Sequence, residues 1–208
     1  MPILDPGDAK TISKFYNDIN DPSPGASVTT ANVSGSIIQP YGGQVGKRLI
    51  LTSAMAAQHS NPTIGTLYEG GYQYVKTKAA SSITPARGGL CFWDDFDNAV
   101  VTPDVGAGNI GLFAGVYINA LSKGNYGYIQ FAGKANVLYD GTLTDNTAGD
   151  LVVVKSTSAN TANALASTTI TAAILLSAIG VAIAQPVASE VHLVQLFWWR
   201  QTMGGGAL

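Results

Sequence analysis

Residues 106–111, GAGNIG, spell the G-x-G-x-x-G pattern whose backbone N–H groups cradle a dinucleotide pyrophosphate. That chemistry needs a helix directly after the last glycine, with the phosphate seated on its N-terminus. The residues after Gly111 are LFAGVYIN, β-branched and interrupted by Gly115, which makes a poor helix. The acidic residue expected about 20 positions on to hold a ribose is missing, since Asp140 is the next one. The spacing assigns Gly106–Gly111 to a loop leading into a strand, and no cofactor is expected.

The densest acidic cluster, DDFDN at 94–98, fails as an EF-hand. Counted from Asp95, the sixth and twelfth positions hold Val100 and Gly106 where a glycine and a glutamate are required. A solvated polar turn between two strands is the expectation, with a looser calcium site at Asp94, Asp95 and Asp97 as the alternative. Hydrolytic patterns are missing too: there is no G-x-S-x-G or H-E-x-x-H, and Glu69 and Glu190 are the only glutamates. His192 alternates within EVHLVQLFWW and reads as a cross-strand surface residue, and His59 as a loop residue. Cys91, the single cysteine, excludes an internal disulfide, builds no zinc site with two histidines, and reads as a small buried apolar residue. The chain is not expected to be an enzyme.

LFWWRQ (196–201) is the strongest interaction signal. Strand alternation cannot place Phe197, Trp198 and Trp199 on one face, so at least one large aromatic points away from the core. A strand sandwiched between core and arm is one reading. The other is an interface, where Trp, Tyr and Arg supply most binding energy, formed by Phe197, Trp198, Trp199 and Arg200.

The 208 residues suffice for one main domain with length left for an arm. Charged residues are 12% of the chain, against roughly 25% in an average soluble protein, so the surface is neutral and rich in small residues. A net charge of −2 with no basic cluster beyond Lys47-Arg48 gives no footprint for nucleic acid. The N-terminus MPILDPGDAK does not read as a secretory signal. The charge-free stretch 156–189 is broken by Thr168, Thr169, Thr171, Ser177, Gly180 and Gln185-Pro186, so no membrane span is expected.

These side chains must be positioned by short strands. In DAKTISKFYNDIN, Ile12, Phe15, Tyr16 and Ile19 fall at i, i+3, i+4 and i+7 behind an N-cap at Asp8, which describes a short amphipathic helix. It sits in an N-terminal arm, 1–47, whose Pro/Gly/Ser stretch resembles a linker. Its apolar stripe packs either on its own domain or on a partner.

From Arg48 to the end, 48–208, the pattern is of strands: RLILTSAM, GYQYVKTK, LCFWDD, NAVVTP, GLFAGVYI, YGYIQFAG, ANVLYDG, DLVVVKS, IGVAIAQ and EVHLVQLFWW. They also form a degenerate repeat. The order 72–79, 88–93, 110–118, 126–135 recurs as 126–135, 149–154, 179–187, 191–198, with one strand shared and Gly111 aligned to Gly180. The expected fold is all-β: a small antiparallel barrel or sandwich built from two degenerate repeats, with an extended N-terminal arm carrying a short helix.

The order YGYIQFAGKANVLYDG…AGDLVVV…AIGVAIAQ…VHLVQLFW resembles the head-decoration, or capsid cement, proteins of tailed bacteriophages, over about residues 66–199. The resemblance implies a structural virion protein on the capsid exterior, made in the host cytoplasm, that binds the major capsid protein and its own copies, a trimer being favoured. It implies that Ile12, Phe15, Tyr16 and Ile19 contact the capsid or a neighbouring subunit. The long 156–178 insertion departs from the smaller members. An alternative is a carbohydrate- or receptor-binding module using Tyr68, Tyr72, Tyr74 and Trp93 to stack on sugars.

Overall fold

A computed structural model describes residues 45–46, 48–59, 66–104, 112–155, 160–166, 171 and 177–197. The arm helix of the sequence reading lies outside them, as do Gly106–Gly111. Within the described residues ten strands form one sheet: β1 Arg48–Leu51, β2 Gly70–Thr77, β3 Leu90–Asp95, β4 Val100–Thr102, β5 Phe113–Tyr117, β6 Tyr126–Leu138, β7 Leu151–Val154, β8 Ala162–Leu165, β9 Ala178–Ala182 and β10 Val191–Leu196. A short helix, α1 Ser53–His59, lies among them. The fold is all-β.

The sheet order is β1-β2-β4-β3-β5-β6-β10-β9-β7-β8, and β2 also pairs with β6. That extra pairing closes β2, β4, β3, β5 and the first half of β6 into a five-stranded barrel. The second half of β6 pairs with β10, and β10 leads on to β9, β7 and β8 in order. A parallel bridge between Tyr139 and Ala162 returns β8 to the end of β6. It has a counterpart in the first barrel, where β2 runs parallel to β4 through Thr77 and Val101.

Two barrels of one topology therefore share β6. The equivalence reaches individual hydrogen bonds. Gly88 N–H donates to Tyr117 O at 2.8 Å as Gly149 N–H does to Ala182 O at 2.8 Å. Tyr117 N–H donates to Gly89 O at 2.9 Å as Ala182 N–H does to Asp150 O at 2.9 Å. The register slips at the same place in both, between Cys91 and Phe92 against β5 and between Val152 and Val153 against β9. Ala99 and Asn160, non-glycines at positive φ of 49° and 53°, are also counterparts.

The order of the repeat read from sequence holds. Its register moves: Gly180 corresponds to Gly115, four residues beyond Gly111. The reason is steric. A Cβ at Gly115 would lie 2.6 Å from Gln130 O, and one at Gly180 would lie 2.3 Å from Gln195 O, so both barrels need glycine where a neighbouring strand's carbonyl crosses.

Three strand boundaries differ from expectation. The run RLILTSAM leaves the sheet after Leu51, because the Ala-rich SAMAAQH favours α1, with Ala56 N–H donating to Thr52 O at 2.9 Å. His59 is thus helical rather than in a loop. YGYIQFAG and ANVLYDG are one continuous strand, β6. Finally β8, Ala-Asn-Ala-Leu, lies within a stretch given no strand, since it lacks the β-branched and aromatic residues that mark one.

Alternation sorts the cores. Val75, Cys91, Trp93, Ala114, Tyr117 and Ile129 fill the first barrel, with Val45 packed against them. Leu90, Phe92, Phe113 and Val116 point the other way and join Val137, Val152, Ile179 and Val194 of the second barrel in one cluster. The outer face of one barrel thus forms part of the core of the other. The two are a single packed body.

Candidate functional site

The surface places aromatic residues where the β2–β6 register brings outward positions together. Tyr74 lies opposite Tyr128 and Lys76 opposite Tyr126. The Tyr74 ring stacks on Tyr126 at 6.1 Å and tilts against Tyr128 at 4.9 Å, and the Lys76 ammonium sits 5.7 Å from the Tyr126 ring centre. Tyr126 and Tyr128 are half-buried and form an outward aromatic strip. Their alternation within YGYIQF signals it in the sequence.

The residues named for sugar stacking do not form such a strip. Tyr72 is buried, donating its hydroxyl to Tyr68 O at 2.7 Å, and burial pushes its pKa up. Tyr74 and Trp93 are also buried, the latter inside the first barrel. Of these four only Tyr68 keeps partial exposure. Strand parity and the β2 bulge between Gly71 and Tyr72 decide this, and composition alone does not carry it.

Phe197 is half-buried and packs on Leu151, Val153 and Ala178, outside the second barrel's core, while its N–H donates to Ile179 O at 2.9 Å. Phe197 thus lies on the face opposite the second barrel's core, against a smaller buried cluster. Trp198, Trp199, Arg200, Ile12, Phe15, Tyr16 and Ile19 lie outside the described residues.

The carboxylates serve turns. In DDFDN, Asp94 pairs with Lys78 at 2.6 Å, and Asp95 accepts from the Asn98 side chain at 2.7 Å, which holds its pKa below the usual carboxylate value. Burial raises the Asp104 pKa, but bonds from the Ser82 hydroxyl and amide, the Ile83 amide and nearby Lys123 outweigh it and leave the carboxyl lowered. Asp140 accepts from Lys155 at 3.0 Å, Thr161 at 3.1 Å and the Thr142 amide at 3.0 Å. Among the described residues no cluster of three metal-ligating side chains occurs.

His192 differs from its reading as a surface residue. Its place in β10 shares a parity with Val194 and Leu196, so the ring turns into the barrel end, edge-on to Tyr139 at 6.2 Å. Its Nε2 lies 3.3 Å from Glu190 Oε2. Cys91 is buried, as read, with its thiol pKa pushed up by burial and its Sγ–H directed at Gly115 O, 3.2 Å away.

The loops at one end of each barrel differ more than the strands do. In the first barrel, 79–87 and 119–124 are stitched together: Leu121 N–H donates to Pro85 O at 3.2 Å and Lys123 Nζ to Ser82 O at 3.1 Å. In the second, the counterpart loops stand apart around an open cleft of about 400 Å³ lined by Leu143, Asp145, Pro186, Val187 and Ala188 among others.

No known protein family matches the chain, and no curated protein does. Among solved structures it is similar to the head fiber gp8.5 N base of bacteriophage phi29, at 13% identity and a TM-score of 0.42, over 61% of this chain and 94% of that one.

Proposed function

We propose that the chain is a structural virion protein that binds the outside of a phage capsid and stabilises it by bridging capsid subunits. The observation that carries this is the fused pair of barrels. Two similar bodies joined by one unbroken strand and a common core make a stiff unit with contact surfaces at a fixed separation, which is what a bridge between neighbouring subunits requires. The sequence resemblance to head-decoration proteins points the same way. No catalytic group takes part in this reading. Many copies acting together make each weak contact count, because a bound subunit raises the effective concentration of its second contact.

The partners are the major capsid protein and neighbouring copies of the chain, as a trimer. The arm residues Ile12, Phe15, Tyr16 and Ile19 contact the shell, and Phe197, Trp198, Trp199 and Arg200 a neighbouring subunit. Deleting residues 1–24 tests the arm: a folded protein that no longer co-sediments with empty shells is expected. Full occupancy by the truncated protein overturns the arm contact.

A further inference from the structure

The two barrels, matched through their strand registers, differ at the cleft of the second. In the first, the loop before β6 sends Leu121 into the core, where it lies over Gly127: a Cβ on that glycine would meet Leu121 Cδ1 at 2.5 Å. Two residues on, Lys123 spans the gap to the 79–87 loop. Counting back from the β10 register, the counterparts of Leu121, Lys123 and Gly127 are Pro186, Ala188 and His192. Where the first barrel has Gly127, the second thus has the half-buried ring of His192, edge-on to Tyr139. The position of Lys123 holds Ala188.

The facing loop, 141–148, is tied to β8, much as 79–87 is tied to Asp104 beyond β4. Thr144 N–H donates to Asn163 Oδ1 at 2.9 Å, Asn163 Nδ2 to Thr144 Oγ1 at 2.7 Å, and Asp145 N–H to Ala164 O at 3.1 Å. Among the described residues no hydrogen bond joins 143–146 to 185–188. What remains between them is the cleft: Leu143, Pro186 and Ala188 on its walls, Val187 44% exposed at its mouth, and Asp145 as the one charged side chain among the described residues of its lining.

We infer that this cleft takes a segment of a protein partner that presents an aliphatic side chain and, beside it, a lysine or arginine. The aliphatic group packs on Leu143, Pro186 and Val187, and the cation reaches the Asp145 carboxylate. The partner thus supplies from outside the stitch that Lys123 supplies within the first barrel. Charge complementarity selects a basic segment, because the described lining has an anion and no cation. The inference rests on the capsid-binding reading, and the segment belongs to the shell.

Binding of the full chain to empty shells, measured by co-sedimentation, tests it with three variants. Ala188→Lys, at an exposed position, restores the internal lysine and fills the cleft; Asp145→Asn removes the charge; Ala188→Ser is a control of similar size. Circular dichroism and thermal melting confirm that each is folded. The expected result is a loss of about tenfold or more in affinity for Ala188→Lys and Asp145→Asn, with Ala188→Ser unchanged. Wild-type binding retained by Ala188→Lys overturns the cleft and leaves the capsid reading standing. Retention by Asp145→Asn overturns the basic partner. A wild-type chain that never binds shells overturns the capsid reading and the cleft with it.

Discussion

At the scale of single residues, the two barrels act as internal controls for one another. Gly115 and Gly180 occupy one structural position, and each faces the carbonyl of a glutamine on the next strand. Gly180→Ala is expected to cost about 3 kcal/mol, since neither Gln195 O nor the Val194 side chain has room to retreat, and to lower the melting temperature by roughly 6–12 °C. Calorimetry checks this. The ion pairs are a second matched set. Lys78–Asp94 of the first barrel has as its counterpart Asp140–Lys155, with the charges exchanged. The first pair is well exposed and screened, so its loss has little effect. Asp140 and Lys155 are mostly buried, and Lys155→Ala leaves an uncompensated carboxylate at a cost of about 1–3 kcal/mol. Exchanging both charges is expected to recover part of that loss in urea denaturation, because the barrel scaffold already accepts either polarity. Asp104 gives a pH-dependent effect. Its carboxyl is held below its unfolded value of about 3.9, so it stabilises the fold above that pH, and the contribution disappears as pH falls through the folded value. Asp104→Asn should therefore melt lower than wild type at neutral pH, with the gap closing in acid. A gap that persists undiminished at pH 2 contradicts this assignment.

At the scale of elements, β6 decides the architecture. Its 13 residues pair with β2 and β5 in the first half and with β10 in the second, so neither barrel closes without it. The two barrels are expected to unfold together. Val152→Ala, in the second barrel, should destabilise by roughly 2 kcal/mol and lower the hydrogen-exchange protection of β2 and β5 amides as much as that of β7 and β9. Loss of protection confined to β7–β10 would show two independent units. Most of the strands were legible because Val, Ile and Tyr cluster between turn residues, and the shared strand was legible because YGYIQFAG closes one repeat and opens the next. The register was not, because GAGNIG and SAIG share Ile-Gly by composition, whereas AGV at 114–116 and IGV at 179–181 share a contact across the sheet that only pairing reveals. β8 escaped for a related cause. Alanine and asparagine form a strand there because β7 supplies a partner along their whole length. The aromatic strip of Tyr126 and Tyr128 follows from alternation, but burial of Tyr72 and Trp93 depends on which face of each strand the barrel encloses. The cleft was illegible, since the match of Ala188 to Lys123 is one that only the strand pairing identifies.

At the scale of the whole molecule, the sequence and the fold describe a neutral, stiff, doubled body. Few charges and many small residues leave its contacts to apolar and aromatic side chains, with Ile183 and Val187 41% and 44% exposed on the second barrel. Such a body suits binding to a repeating surface, where avidity multiplies modest contacts. If glycans were the target instead, a glycan array probed with the isolated protein would return selective, saturable signals centred on the Tyr126–Tyr128 strip, and Tyr128→Ala would abolish them. The capsid reading predicts no selective glycan binding. The most direct test is titration of the purified full chain onto empty shells of candidate phages, then sedimentation and a count of copies bound per shell. Saturation at a fixed ratio of copies to capsid subunits, with added resistance of the shells to thermal disruption, is the predicted result. Protein that remains in the supernatant with every shell, at concentrations well above micromolar, would contradict it.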